Sequence, residues 1–332
     1  MLQRSEPLII EATRGDIREK EYLVDVYACD IQGKTLISLG NVDRLVYPRS
    51  AIKIIQGLAT VESGAADHFG LGGGELALMC ASHFGEVSHV AAAQSILAKI
   101  GLRPDHLHCG SHWPLHEATR RNMIRAQRSP SPTHHQCSGK HAGGLCLLRY
   151  KKEDVTHYTK PDHPLQRQIV RNLELFTSEN ISGGGFGVDD CSYPTYPLPL
   201  RSWGTAFARI ADPSNFADST ARAINILTSA VTKNSLMVAG ERSFISGFTR
   251  TFGSRVYIKN GADGFMAASL ANRGIGLVLK VRSGQGRIAS IAASALLEHL
   301  QVLSPQEALR WKTQPRMNAN GRQVGEVRTA NL

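Results

Sequence analysis

Segments rich in β-branched and aromatic residues stand near both ends of this chain, and most of what lies between them repeats with a helical period. YLVDVYACD and KTLISLG, within residues 21–40, read as a hairpin turning at Ile31-Gln32-Gly33. RVYIKNG, IGLVLKV and FISGFTR, all beyond residue 240, read as further strands. Helical periodicity runs through SAIKIIQGLATVESGA, ELALMCASH, SHVAAAQSILAKIG, HEATRRNMIRAQR and KHAGGLCLLRYKK, then HPLQRQIVRNLELF, TAFARIA and FADSTARAINILTSAVT. RIASIAASALLEHLQVL reads as the closing helix. Strands that far apart pair only if the two ends of the chain meet. The expected fold is therefore α+β: one domain over residues 1–332, an antiparallel sheet built from N- and C-terminal segments, flanked by helices from the middle. No βαβ alternation or fixed-period repeat argues otherwise.

Composition narrows the class. The chain has 332 residues, a formal charge of +10 and a pI near 9.5. A nucleic-acid surface needs clustered cations to replace phosphate counterions. Here Lys and Arg are scattered, with runs no longer than Arg120-Arg121 or Lys151-Lys152, so no nucleic-acid partner is expected. The N-terminus has no apolar core of a signal peptide, and no segment is long enough to span a membrane. The expected location is cytoplasmic. Six cysteines, at positions 29, 80, 109, 137, 146 and 191, then read as reduced thiols and not as a disulfide framework.

Ser50-Ala51-Ile52-Lys53 is an S-x-x-K at or near a helix start, a spacing that sets an amine beside a hydroxyl on one helix face. Alone it is a chance-level motif, equally a capping serine with a solvated lysine. Cys80-Ala81-Ser82-His83-Phe84-Gly85-Glu86 clusters reactive side chains, and Lys259-Asn260-Gly261-Ala262-Asp263-Gly264 places a lysine at the end of a strand. Each also reads as an ordinary helix end or β-turn. Cys109 with His112, or Cys137 with His141, are metal-ligand pairs on residue type alone.

The most specific stretches are HHQCSGKHAGGL (134–145), KPDHPLQ (160–166) and GVDDCSYPT (187–195). Together with YPRSAIK, CASHFGE and KNGADG, in that order along nearly the whole chain, they resemble the bacterial L-asparaginase II family, of the type found in rhizobia. The resemblance implies a serine β-lactamase/glutaminase-like fold, a homodimer, and hydrolysis of L-asparagine to L-aspartate and ammonia through an acyl-enzyme. It implies two Ser–Lys tandems, Ser50 with Lys53 and Ser82 with Lys259; Ser50 is the preferred nucleophile, and sequence leaves open which of the two serines is acylated. It further implies zinc on Cys137, Lys140 and Cys191, and no organic cofactor. Asp189 falls at the family's position for the substrate α-amino group. Arg49 suits the α-carboxylate or a structural salt bridge equally. The chain departs from the family pattern at Arg14-Gly15-Asp16, at Asp263, where Glu is usual, and at Ser283-Gly284-Gln285-Gly286-Arg287, leaving the implied catalytic groups in place. A glutaminase or broader serine amidase is the nearest alternative, because one methylene is discriminated by only about 1–3 kcal/mol. A non-catalytic amino-acid-binding protein is the alternative from another class.

Overall fold

The computed structural model describes residues 2–332, which gather into two compact units. One unit takes the chain up to Ala51, Pro197–Asp212 and Ile258–Leu332; the other takes Ile52–Tyr196 and Pro213–Tyr257.

The first unit carries the sheet, all but the first two residues of one strand, Val256 and Tyr257. Its strands in chain order are β1 (Leu2–Arg4), β2 (Leu8–Arg14), β3 (Ile17–Asp30), β4 (Thr35–Leu39), β5 (Val256–Asn260), β6 (Phe265–Leu270), β7 (Ile275–Val281), β8 (Gln314–Met317) and β9 (Gln323–Thr329). They pair in the order β8-β9-β2-β3-β7-β6-β5, with β4 also on β3 and β1 on β4. β1 pairs with β4 in parallel, and β2 with β3, β3 with β4 and β7, β6 with β7, and β9 with β2 and β8 pair antiparallel. The expected assembly from both chain ends is seen in β3 against β7, where Val26 faces Leu279 and Ala28 faces Leu277. Residues 24–29 and 275–279 are buried without interruption, so these central strands are covered on both faces. The Leu200–Ala211 helix contributes buried Trp203 and Phe207 to this core. The Gly286–His299 helix contributes an alanine- and leucine-rich face. The 31–33 turn forms as expected: Gly33 takes φ +82°, and Asp30 Oδ1 accepts the N–H groups of Gln32 and Lys34.

The second unit is helical. It includes Lys53–Glu62, Gly73–Met79, Val87–Lys99, Glu117–Arg125, Ser138–Lys151, Pro164–Thr177 and Asp218–Lys233. It also includes Phe244–Phe252, which corrects the strand expected for FISGFTR. Ser243 caps that helix on the N–H of Ser246, and Ile245, Phe248, Thr249 and Phe252 are buried at helical spacing. Phenylalanine-rich composition raised the β reading; the cap and the i, i+3, i+4, i+7 pattern decide it. The segment expected to close the chain is followed by the Pro305–Lys312 helix and the β8–β9 hairpin. No helix among the described residues is long and apolar enough to cross a membrane.

Candidate active site

Lys53 opens the Lys53–Glu62 helix and has 0% of its surface exposed. A buried amine is tolerated only with acceptors around it. Three are present: Lys53 Nζ donates to Ala81 O, to Ser82 Oγ at 3.1 Å and to Cys137 Sγ at 3.1 Å. Ser82 lies just past the Gly73–Met79 helix, itself buried, with its N–H donated to Val238 O at 2.9 Å. The Ser138–Lys151 helix approaches this segment through Gly139, where a Cβ would stand 2.3 Å from Leu78 O. Only glycine allows backbone contact that close.

Cys137, Lys140 and Cys191 converge in the same unit. Lys140 Nζ donates to Cys191 Sγ at 2.9 Å and lies 3.9 Å from the centroid of the Tyr193 ring. The hydrogen bond from Cys191, followed by the charges of Lys53 and Lys140, holds the Cys137 thiol well below its ordinary range despite burial. The same bond and burial push Cys191 upward. Cys137 is thus the thiolate of the pair and Cys191 its donor. Burial opposes charge on Lys140, but the neighbouring Cys191, Cys137 and Asp189 outweigh it and raise the amine.

Asp189 and Cys191 sit on the turn between two short paired strands, Gly187–Val188 and Pro194–Thr195. The turn closes with Asp189 N–H on Tyr193 O at 2.8 Å and Ser192 N–H on Asp189 O at 2.7 Å, Ser192 taking φ +70°. Asp189 is half-buried.

In the sheet unit, the YPRS and KNGADG segments touch. A Cβ on Gly261 would stand 2.2 Å from Pro48 O. Ser50 lies on the 3-10 turn Arg49–Ile52, which runs directly into the helix begun by Lys53. Arg49 takes φ +51° and donates to Asp263 Oδ2 at 2.9 Å; Asp263 is itself at φ +54°. Two non-glycine residues in the left-handed region, bonded to each other, mark a constrained corner. Arg49 is therefore engaged by a carboxylate of its own chain. Lys259 is buried, and its Nζ donates to Asn260 O at 2.8 Å and Asn260 Oδ1 at 2.9 Å.

The tandems implied by the resemblance are Ser50 with Lys53 and Ser82 with Lys259; the structure also bonds Lys53 Nζ to Ser82 Oγ, at 3.1 Å. His83, Ser138 and His141 stand in motifs already singled out, but Tyr158 gave no sequence signal, and neither did the pairing of His83 with Ser138. His83 Nε2 meets Ser138 Oγ at 2.8 Å, and Tyr158 OH meets His141 Nδ1 at 2.8 Å. His141 packs on Tyr193 with ring centroids 4.3 Å apart. Burial drives His83 and His141 well below the ordinary imidazole range, so both are neutral. The partners lie 17 to 55 residues apart, beyond any local pattern.

The metal expectation meets a mixed donor set. Among the described residues no three His, Cys, Asp or Glu side chains cluster to hold an ion. Two thiols and one amine do converge, at Cys137, Cys191 and Lys140. The side chains of the other pairs are engaged elsewhere: both His112 ring nitrogens are taken, by Trp113 O and the Gln136 N–H, and the Cys109 thiol bonds to carbonyls and is pushed up to about 12 by burial. His141 Nδ1 is taken by Tyr158, and its Nε2 is buried without a partner. A surface groove of about 760 Å³ along Thr13–Asp16 and Arg322–Glu326 contains none of the candidate residues.

A comparison with curated proteins returns no match. A family model for L-asparaginase II matches residues 10–329. That span contains the Lys53–Ser82–Cys137 cluster and the Arg49–Asp263 corner alike, and the chain belongs to the L-asparaginase II family.

Proposed function

We propose that this L-asparaginase, an amidohydrolase by its family, cleaves the side-chain amide of L-asparagine through a seryl ester, with Lys53 as the hub of proton transfer. The observation that carries this reading is the buried Lys53 amine bonded to Ser82 Oγ at 3.1 Å, three residues after Ser50 in the chain. For turnover Lys53 first releases one proton to solvent and gives up one of its three donated bonds; Ser50 Oγ then attacks the amide carbon as its proton passes to the lone pair so exposed on Lys53 Nζ. The Lys53–Ser82 bond then carries that proton toward the departing nitrogen, which leaves as ammonia. Water enters, Lys53 takes its proton, and the ester opens to L-aspartate and Ser50. Lys259, buried at the end of β5, is the lysine of the second tandem and supplies positive charge for the developing oxyanion. Asp189 is the anion for the substrate α-amino group, and Arg49 the cation for its α-carboxylate.

Cys137, Cys191 and Lys140 would hold zinc. The donor atoms converge as a thiolate, a thiol and an amine, and Cys191 and Lys140 would each release a proton on binding. When bound, zinc supplies a positive site that orients a polar group of the substrate. Six cysteines, none in a disulfide among the described residues, suit a reducing compartment, and we place the enzyme in the cytoplasm as a homodimer.

The test is ammonia release from L-asparagine and L-glutamine by wild type, Ser50→Ala and Ser82→Ala, each with and without zinc. Loss of turnover on L-asparagine in both variants supports the scheme. Full turnover in either variant contradicts it, and equal rates on L-glutamine would make the enzyme a broader amidase.

A further inference from the structure

Lys53 bridges two side chains, Ser82 and Cys137, and the residues that follow those two in the chain, His83 and Ser138, are bonded to each other. His83 Nε2 lies 2.8 Å from Ser138 Oγ, and both side chains are 0% exposed. The direction of this bond is fixed by its surroundings. Ser138 Oγ donates its hydrogen to Thr133 O at 3.1 Å, so it accepts from His83. On the other side of the ring, the Gly85 N–H donates to His83 Nδ1 at 3.1 Å, which again leaves the hydrogen on Nε2. His89 stacks on the imidazole at 5.0 Å and 19°, and its own nitrogens are occupied by the Glu86 N–H and by Leu236 O. The His83 backbone N–H is donated to Gln136 O at 3.2 Å.

The result is a closed ring: Lys53 to Ser82, along the chain to His83, across to Ser138, back along the chain to Cys137, and again to Lys53. Ser82 stands outside any helix or strand, so the Gly73–Met79 helix alone does not hold its hydroxyl in place. The His83–Ser138 bond ties that segment to the start of the Ser138–Lys151 helix.

We propose that His83 is a positioning residue for the asparaginase reaction. Its imidazole fixes the separation between Ser82 and Cys137, and so aims the Lys53 amine at the Ser82 hydroxyl. This rests on the Lys53–Ser82 proton path set out above. His83 takes no part in proton transfer itself, because both ring nitrogens are committed to structural bonds.

Two substitutions separate the two halves of the imidazole. His83→Gln keeps an N–H near the Nε2 position and loses the acceptor for Gly85; His83→Asn keeps that acceptor and loses the donor to Ser138. His83→Asn is expected to lower kcat on L-asparagine by about 30- to 100-fold, the scale of an ångström-sized misplacement, with KM within about twofold. His83→Gln is expected to stay within about fivefold of wild-type kcat, on the same scale. Ser138→Ala, which removes the acceptor, reproduces the loss in His83→Asn, and the double variant is no worse than either alone. If His83→Asn does not fold, Ser138→Ala carries the same test. Wild-type kcat in folded His83→Asn and Ser138→Ala overturns the inference, as does a change confined to KM. Ser82→Ala is the control. Should it turn over at the wild-type rate, the proton path itself fails; should it be dead while His83→Asn is fully active, the path survives and only the role of His83 falls.

Discussion

The two buried lysines of the candidate site are held in opposite ways. Lys53 is fixed by side-chain bonds to residues 28 to 84 positions away, and its cluster contains a thiolate, a thiol and a second amine. Lys259 sits in a corner fixed by backbone. There Gly261 abuts Pro48 O, Arg49 and Asp263 adopt left-handed conformations, and the lysine bonds to the residue next to it. The first region should fail when a functional group is removed, the second when a backbone atom is crowded.

Lys53→Met is the largest expected break. Removing a proton-transfer group should lower kcat/KM by about 10²- to 10⁴-fold while circular dichroism stays native, because methionine fills most of the lysine volume. Retained activity would mean that the base lies elsewhere. In the other region, Gly261→Ala adds a Cβ 2.2 Å from a carbonyl oxygen that belongs to backbone and cannot swing away. A loss of about 2–3 kcal/mol in unfolding free energy is expected, read by urea denaturation. An unchanged midpoint would show that the corner relaxes and that backbone does not fix it.

Those two regions were unequally legible in the sequence. Of the corner, the turn at KNGADG was readable from its Asn, Gly and Asp; its contact with YPRS was not, since Arg49 and Asp263 lie 214 residues apart. The side-chain cluster was readable only as resemblance: nothing local links Lys53 to Cys137 or His83 to Ser138, since their contact exists only once helices pack. The same division runs through the fold. The strands of the 21–40 hairpin and the strand Ile275–Val281 carry β-branched runs and were expected. Gln314–Met317 and Gln323–Thr329 are short and largely polar, and their strand form comes from pairing with each other and, for the second, with β2, which composition cannot show.

A pH titration of stability sharpens the contrast from the buried side. Burial lowers His83 well below 6.5 and also lowers His89, so both remain neutral in the fold. Below about pH 6.5 the unfolded chain binds protons that the folded chain refuses, and stability falls as pH falls. Above that value their contribution is fully present. Each fully buried imidazole contributes a slope of up to about 1.4 kcal/mol per pH unit, and His83→Gln should remove one such increment from urea melts between pH 5 and 6.5. An identical slope in the variant would mean that His83 is protonated in the fold. The smallest effect belongs to the exposed partner of the corner. Asp263 is 68% exposed, and Asp263→Asn should cost less than about 1 kcal/mol of stability, with any change in KM for L-asparagine limited to a few-fold. A larger stability loss would make that ion pair, and not backbone contact, the element that holds Arg49.

The central claim is a seryl ester at Ser50 formed with Lys53 and Ser82 as its proton path. Rapid acid quench of the enzyme during turnover of L-asparagine, followed by peptide mass mapping, tests it most directly. An aspartyl adduct on the peptide containing Ser50, absent from Ser50→Ala and strongly reduced in Lys53→Met, is the expected result; an adduct on Ser82 in place of Ser50, or turnover with neither serine acylated, would contradict it.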